Sequence, residues 1–187
     1  DSSFIGGVNL SQWADFQEFY VQYRAPVANG LNIQAGQINS VVGYEVVESP
    51  YNANYSRSWL FGLGQPFTTR GLRISYDFDK RVSWTVGIIS YINSSRGDTE
   101  NDPLVESALT VNVSEQMRVT VYGLAGNRSG PTGTLGGNQS LIGGYFSWQM
   151  TEQASAVVEA YYSNQANSSR ISPAGNARWN GVAGYLI

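Results

Sequence analysis

The sequence predicts an all-β fold in which antiparallel strands follow one another along the chain. Apolar and polar residues alternate through much of the 187-residue chain, and short turns recur between the alternating segments. Alternation is typical of strands because successive side chains point to opposite faces of a sheet. The composition agrees, with 21 glycines, 12 tyrosines and only 13% charged residues, and it predicts little helix.

The strands are predicted in hairpins. Residues 1–15 alternate weakly and hold one strand at most. Strand 16–25 is joined to strand 31–36 by the turn 26–30, where Asn29 and Gly30 can supply positive φ. The later hairpins and the last strand are 71–78 with 82–88, 105–113 with 117–122, 142–150 with 155–163, and 178–187. About ten strands can be identified in this way.

The connections between these strands alternate strictly in length. Short turns occupy 26–30, 78–81, 114–116 and 151–153, and long polar loops occupy 38–67, 92–102, 127–139 and 164–177. This asymmetry is typical of a transmembrane β-barrel, which has short periplasmic turns, long extracellular loops and strands of roughly ten residues. Aromatic residues near the short turns would form an interfacial girdle. They are Tyr23, Tyr76, Phe78, Trp84 and Trp148.

A soluble β-sandwich or barrel also alternates, but it should place apolar residues inside and many Lys and Glu outside. Here the polar face consists mainly of Ser, Thr, Gly, Asn, Gln and Tyr, and Lys80 is the only lysine. This pattern favours a wet lumen. The charged residues expected to line it are Glu18, Arg24, Arg73, Glu106, Arg118 and Glu159. Salt bridges between neighbouring strands would explain these charges equally well.

The stretch 43–70, GYEVVESPYNANYSRSWLFGLGQPFTTR, has no period of 2 or 3.6. Connections this long are usually functional or disordered, and its many aromatic residues argue against disorder. We expect loop 38–67 to fold into or against the lumen, where charged side chains would set selectivity. Candidates for the constriction are Tyr44, Glu45, Glu48, Tyr55, Arg57 and Arg70. Alternatively, Glu45 or Glu48 pairs with Arg57 or Arg70 to hold the loop.

The composition makes several functions improbable. The chain has no cysteine and no histidine, which removes thiolate metal sites, imidazole bases and Ser-His or Cys-His nucleophiles. We therefore expect no enzyme, cofactor or metal site. Glu45 and Glu48 give no reason for a glycosidase geometry, and the acidic segment 98–102 lacks EF-hand spacing. The net charge of -3, without a basic stripe, gives no sign of a nucleic-acid partner.

Several segments resemble the OmpL-like β-barrel porin family of bacterial outer membranes. GLNIQAGQ precedes a stretch that matches three family elements in order: GYE-(V/I)-x-(E/D)-x-P, N-(F/Y)-S-R-S and PF-T-x-x-G-(V/L)-R. The segments YDFDKRVSWTVGI, WQMTEQASAVVEAYY and RWNGVAGYL are similar to the family's hairpins. The resemblance covers most of the chain from Phe16 onward.

The resemblance implies a bacterial outer-membrane barrel that admits small solutes or ions, with the motif loop packed inside the pore. Family members are usually longer, and a bacterial barrel commonly ends on an aromatic residue where this chain has Ile187. A ten-stranded barrel would be narrow, with a lumen largely filled by side chains. The chain is therefore expected to be a fragment, an incompletely determined sequence, or one part of a homo-oligomer or other assembly. Two alternatives remain at this point: a non-conducting structural or interaction barrel that pairs with other chains, and a soluble β-sheet binding module.

Overall fold

A computed structural model of the chain describes residues 4–5, 8–9, 17–92, 102–128, 137–166 and 176–187. A short hairpin pairs β1 (Phe4–Ile5) with β2 (Val8–Asn9), two strands in a segment where at most one was expected, because two-residue strands are too short to alternate visibly. All other strands belong to one antiparallel sheet of nine. They are β3 (Phe19–Ala25), β4 (Leu31–Asn39), β5 (Thr68–Asp77), β6 (Val82–Ile92), β7 (Leu104–Asn112), β8 (Met117–Arg128), β9 (Gly137–Gln149), β10 (Ser155–Gln165) and β11 (Ala177–Leu186).

Each strand pairs with the strand that follows it, from β3 at one edge to β11 at the other. The predicted up-and-down order is therefore confirmed, and all four predicted short turns connect hairpins. Within the described residues β3 and β11 do not pair with each other, so the sheet is not closed there. The predicted loops 92–102, 127–139 and 164–177 lie mostly outside the described residues.

The two faces of the sheet have the opposite polarity from a soluble protein. On β10, Val158 is 55% exposed whereas its neighbour Glu159 is 0% exposed. From β5 to β11 apolar side chains are exposed on the outer face, and the interior face buries polar and charged side chains together with apolar ones such as Ile89, Leu104 and Val157. On β3 both faces are exposed. Exposed examples are Leu72, Ile88, Val105, Leu109, Val121, Ile142, Phe146 and Val182, and buried examples are Arg73, Glu106, Thr120 and Ser163.

The connection between β4 and β5, residues 40–67, is the longest that the structure describes. It contains a 3-10 turn, Ser49–Tyr51, and one α-helix, α1 (Trp59–Gly64). The sequence did not predict α1, because six residues are too few to show a helical period. Its first turn is capped by Ser58, whose side chain accepts a hydrogen bond from the Phe61 N–H at 3.1 Å. In the described residues no helix is long and apolar enough to cross a membrane.

This connection, called the inner loop below (residues 40–67), shows that the sheet is strongly curved. Tyr44 follows the end of β4 by five residues, yet its N–H donates to Glu159 on β10 at 2.9 Å. Five extended residues reach at most about 18 Å. In a flat sheet β10 would lie roughly 29 Å from β4, six strand spacings away. The sheet must therefore curl around the inner loop and bring β10 closer to β4 than a flat sheet would.

Apolar packing also holds the inner loop against the far side of the sheet. Leu60 of α1 is 6% exposed and lies in a cluster of buried residues. The cluster is Val42, Leu60, Tyr122, Leu124, Leu141 and Tyr161. Glycines allow this close approach: a Cβ at Gly64 would overlap the Tyr161 hydroxyl, and one at Gly181 would lie 2.5 Å from Leu60 Cδ1.

Candidate functional site: the inner loop and the concave face

The centre of the contact between loop and sheet is a pair of buried carboxylates, Glu45 and Glu159. Glu45 belongs to the inner loop and is 4% exposed. It accepts hydrogen bonds from the Ser58 N–H at 3.0 Å, from the Ser58 hydroxyl, and from the Tyr185 hydroxyl of β11 at 3.0 Å. Glu45 therefore fixes the start of α1 and attaches it to the nine-stranded sheet, which is called the wall below.

Glu159 approaches the same place from β10. Its Oε1 accepts three hydrogen bonds, from the Tyr44 N–H at 2.9 Å, the Gln65 side-chain amide at 3.0 Å and the Tyr122 hydroxyl at 2.5 Å. Its Oε2 lies 3.5 Å from the Tyr185 hydroxyl. One wall carboxylate thus holds both ends of the inner loop.

The ring of Tyr44 packs against two tyrosines of the sheet, Tyr145 of β9 and Tyr185 of β11. The ring centroid lies 5.4 Å from that of Tyr145 and 5.1 Å from that of Tyr185. Burial raises the pKa of the Tyr44 hydroxyl, and the nearby Tyr145 and Glu45 raise it further. The hydroxyl therefore stays neutral well into the alkaline range.

A second buried site lies on the wall itself. Arg73 of β5 binds Glu106 of β7 through two nitrogens, at 2.7 Å from Nη2 and 2.8 Å from Nε. Arg73 also donates to the Thr69 hydroxyl at 3.2 Å. The ion pair spans β6, where Gly87 leaves room: a Cβ there would lie 2.9 Å from Glu106 Oε1. It is thus formed across an intervening strand rather than between neighbours.

Glu48 anchors the outer part of the inner loop. It accepts hydrogen bonds from Gln17 at 2.6 Å and from Asn39, the last residue of β4, at 2.5 Å. Arg57 links two parts of the inner loop. It donates to the Val47 carbonyl at 3.1 Å, and its guanidinium lies 5.3 Å from the Phe61 ring centroid.

The remaining predicted residues are exposed. Tyr55 is fully exposed, and Arg70 donates to Gln37 at 2.9 Å. The exposed candidates for the lumen lining are Glu18, Arg24 and Arg118, and each forms a hydrogen bond with a residue of its own hairpin. Glu18 accepts from the Asn39 N–H at 3.0 Å, Arg24 donates to the Asn29 carbonyl at 3.1 Å, and Arg118 donates to Asn112 at 2.8 Å.

The structure therefore brings Tyr44, Glu45 and Glu159 together, and it separates Arg73 and Glu106 from them. Within the described residues neither Glu45 nor Glu48 forms an ion pair with Arg57 or Arg70; their partners are hydroxyl, amide and backbone groups. No group of three or more Asp or Glu side chains is placed to hold a metal ion in the described part of the chain.

Sequence reasoning missed four residues of the carboxylate site: Ser58, Gln65, Tyr122 and Tyr185. Tyr122 occurs in the polar register of its strand, which was a usable signal. Tyr185 lies in a strand whose glycines and alanines obscure the two faces, and Ser58 and Gln65 gain their partners only through the fold of the inner loop.

Apolar residues outside, buried charges inside and an up-and-down sheet that curls around its own loop define the class as a transmembrane β-barrel protein. Comparison with known families agrees. The chain belongs to the family described as "Putative beta-barrel porin-2, OmpL-like", whose model matches residues 10–187. No curated protein and no solved structure is significantly similar to the chain. The family implies a bacterial outer membrane.

Proposed function

We propose that this protein is a porin through which small solutes or ions diffuse passively across the outer membrane. The observation that carries the proposal is the inverted sheet, in which lipid would contact the exposed apolar face and the charged face would surround the pathway. Aromatic residues near the short turns support this orientation. Phe78, Trp84 and Trp148 are each about 40–50% exposed, as a girdle at the membrane interface requires.

The inner loop is the proposed constriction. It crosses the concave face and is held by contacts on β8, β9, β10 and β11. Beside it, a cavity of about 160 Å³ lies between the end of α1 and the wall, lined partly by Leu63, Gln139 and Trp179. Of the predicted constriction residues, Tyr44 and Glu45 contact the sheet, whereas Tyr55 is fully exposed and Arg57 donates to the Val47 carbonyl of the loop itself.

Planar-bilayer recording tests the proposal. Wild-type protein should produce discrete conductance steps, and Arg57→Gln should shift the reversal potential in a salt gradient toward the cation limit, because a fixed positive charge is lost at the constriction. The matched control is Arg81→Gln, since Arg81 lies in an exposed short turn. Folding is checked by heat-modifiability on a gel. Folded wild-type protein without conductance steps would refute the porin function.

The open sheet edges favour a second candidate, a barrel part that pairs with other chains and does not conduct. Within the described residues β3 and β11 are the two edges of the sheet, and unpaired backbone groups in a bilayer are costly, so these edges would gain from partner strands. Val21 and Val182 are 74% and 75% exposed on these strands. Because the chain has no cysteine, Val21→Cys and Val182→Cys allow specific crosslinking. A crosslink to another chain, together with absent conductance, would support this candidate.

A further inference from the structure

The Glu45–Glu159 pair contains fewer hydrogens than its oxygen contacts require. Tyr185 has one hydroxyl hydrogen, and its distance of 3.0 Å to Glu45 Oε2 makes that oxygen the acceptor. The Ser58 hydroxyl is also committed to Glu45. Two contacts of the Tyr185 oxygen then have no hydrogen of their own. The first is with Ser58 Oγ at 3.2 Å. The second is with Glu159 Oε2 at 3.5 Å. A proton on Glu159 Oε2 would complete the second contact.

The electrostatic surroundings lead to the same result. In the described residues the ion pair within 4 Å is Arg73–Glu106, and no cationic side chain approaches Glu45 or Glu159 that closely. Two ionised carboxylates without a cation are costly when buried, and such a pair commonly keeps one proton. The titratable groups facing the pair carry no positive charge: Tyr44 from the inner loop, Tyr122 from β8, Tyr145 from β9, Tyr161 from β10 and Tyr185 from β11.

We propose that Glu45 and Glu159 form a proton-binding site in which one proton, held on Glu159 Oε2 and donated to Tyr185, locks the inner loop against the wall. Glu45 is the loop's carboxylate and Glu159 is the wall's. Loss of the proton leaves two negative charges on either side of one tyrosine hydroxyl, and their repulsion loosens the loop. The site is a lock at neutral pH that weakens as the pH rises. It does not depend on conduction, so its test is separate from that of the porin function.

Infrared spectroscopy of glutamate-labelled protein tests the proton directly. Wild-type protein at pH 7 should show a protonated-carboxyl band that disappears at alkaline pH and is absent in Glu159→Gln. Tyr185→Phe should shift this band, because the proton loses its acceptor. No protonated-carboxyl band in wild-type protein, or a band that Tyr185→Phe leaves in place, would overturn the proposal, and the wild-type measurement stands even if Glu159→Gln does not fold.

Trypsin cleavage after Arg57 tests the lock, with rates normalised to a free peptide of the same sequence. In wild-type protein the rate should rise by up to about tenfold per pH unit once the proton is lost, the slope for release of one proton. Glu159→Gln, which keeps a hydrogen for Tyr185, should stay slow and independent of pH. Glu115→Gln, in an exposed short turn, should behave like wild type. A pH dependence that persists in Glu159→Gln contradicts the lock.

Discussion

Leu60 should decide how firmly the inner loop is docked. It is 6% exposed within the cluster that joins α1 to the sheet, whereas Leu63, on the same helix, is 77% exposed. Removing a buried leucine side chain costs about 2–5 kcal/mol. We therefore expect Leu60→Ala to weaken docking by about 3 kcal/mol, roughly 100-fold in the docking equilibrium.

The assay is hydrogen exchange at two amides that donate to the carboxylate pair, those of Tyr44 and Ser58. Leu60→Ala should speed their exchange by roughly 100-fold while exchange in the sheet changes little, because the loop opens locally. Leu63→Ala is the matched control, with the same chemical change and the same effect on helix propensity, and it should change exchange by less than about threefold. Equal effects of the two substitutions, or no effect of Leu60→Ala, would refute the assignment of Leu60 as the apolar anchor.

Two further predictions concern close packing and the buried ion pair. Gly64→Ala should weaken docking of the inner loop by about 1–3 kcal/mol, because the new Cβ would overlap the Tyr161 hydroxyl. Gly62→Ala is the control, since a Cβ there would have nothing within 4 Å. It should leave the Tyr44 and Ser58 amides at least as protected from exchange as in wild type, because alanine favours a helix more than glycine does. Arg73→Met alone should lower the free energy of unfolding in urea by about 3–5 kcal/mol, and combining it with Glu106→Leu should restore most of that loss. If the double variant unfolds as readily as Arg73→Met, then the buried, unpaired charge of Glu106 is not the cause of the loss in Arg73→Met.

The strands and turns could be predicted because their causes are local. Alternation sets which side chains share a face, and residues such as Asn29 and Gly30 set a turn within a few positions, so the hairpins and their order follow from short segments. The boundaries were less well predicted: β4 continues to Asn39, two residues inside the expected loop, because its pairing with Thr68 extends the ladder. Pairing is a property of two segments and is not visible in either one alone.

The inner loop shows where prediction from sequence ends. Its length and aromatic content indicated an ordered, functional connection, and Tyr44 and Glu45 were among its candidate residues. Their partners were not predictable, because Glu159 and Tyr185 lie more than 100 positions away in the sequence. The sequence indicated two alternatives, a charged constriction and pairs between acids and arginines. Neither alternative included the hydrogen bonds that Glu45 accepts from two hydroxyl groups and a backbone N–H.

The sequence by itself indicated the class of this protein, through its alternation of apolar and polar residues, its strict succession of short turns and long loops, and its scarcity of lysine. Only the tertiary structure decided what lies inside. Curvature brings β4 near β10, and this closeness allows a carboxylate from the loop and one from the wall to meet at Tyr185. The physical reason is that strand character depends on neighbours along the chain, whereas burial and charge pairing depend on which distant segments the curled sheet brings together.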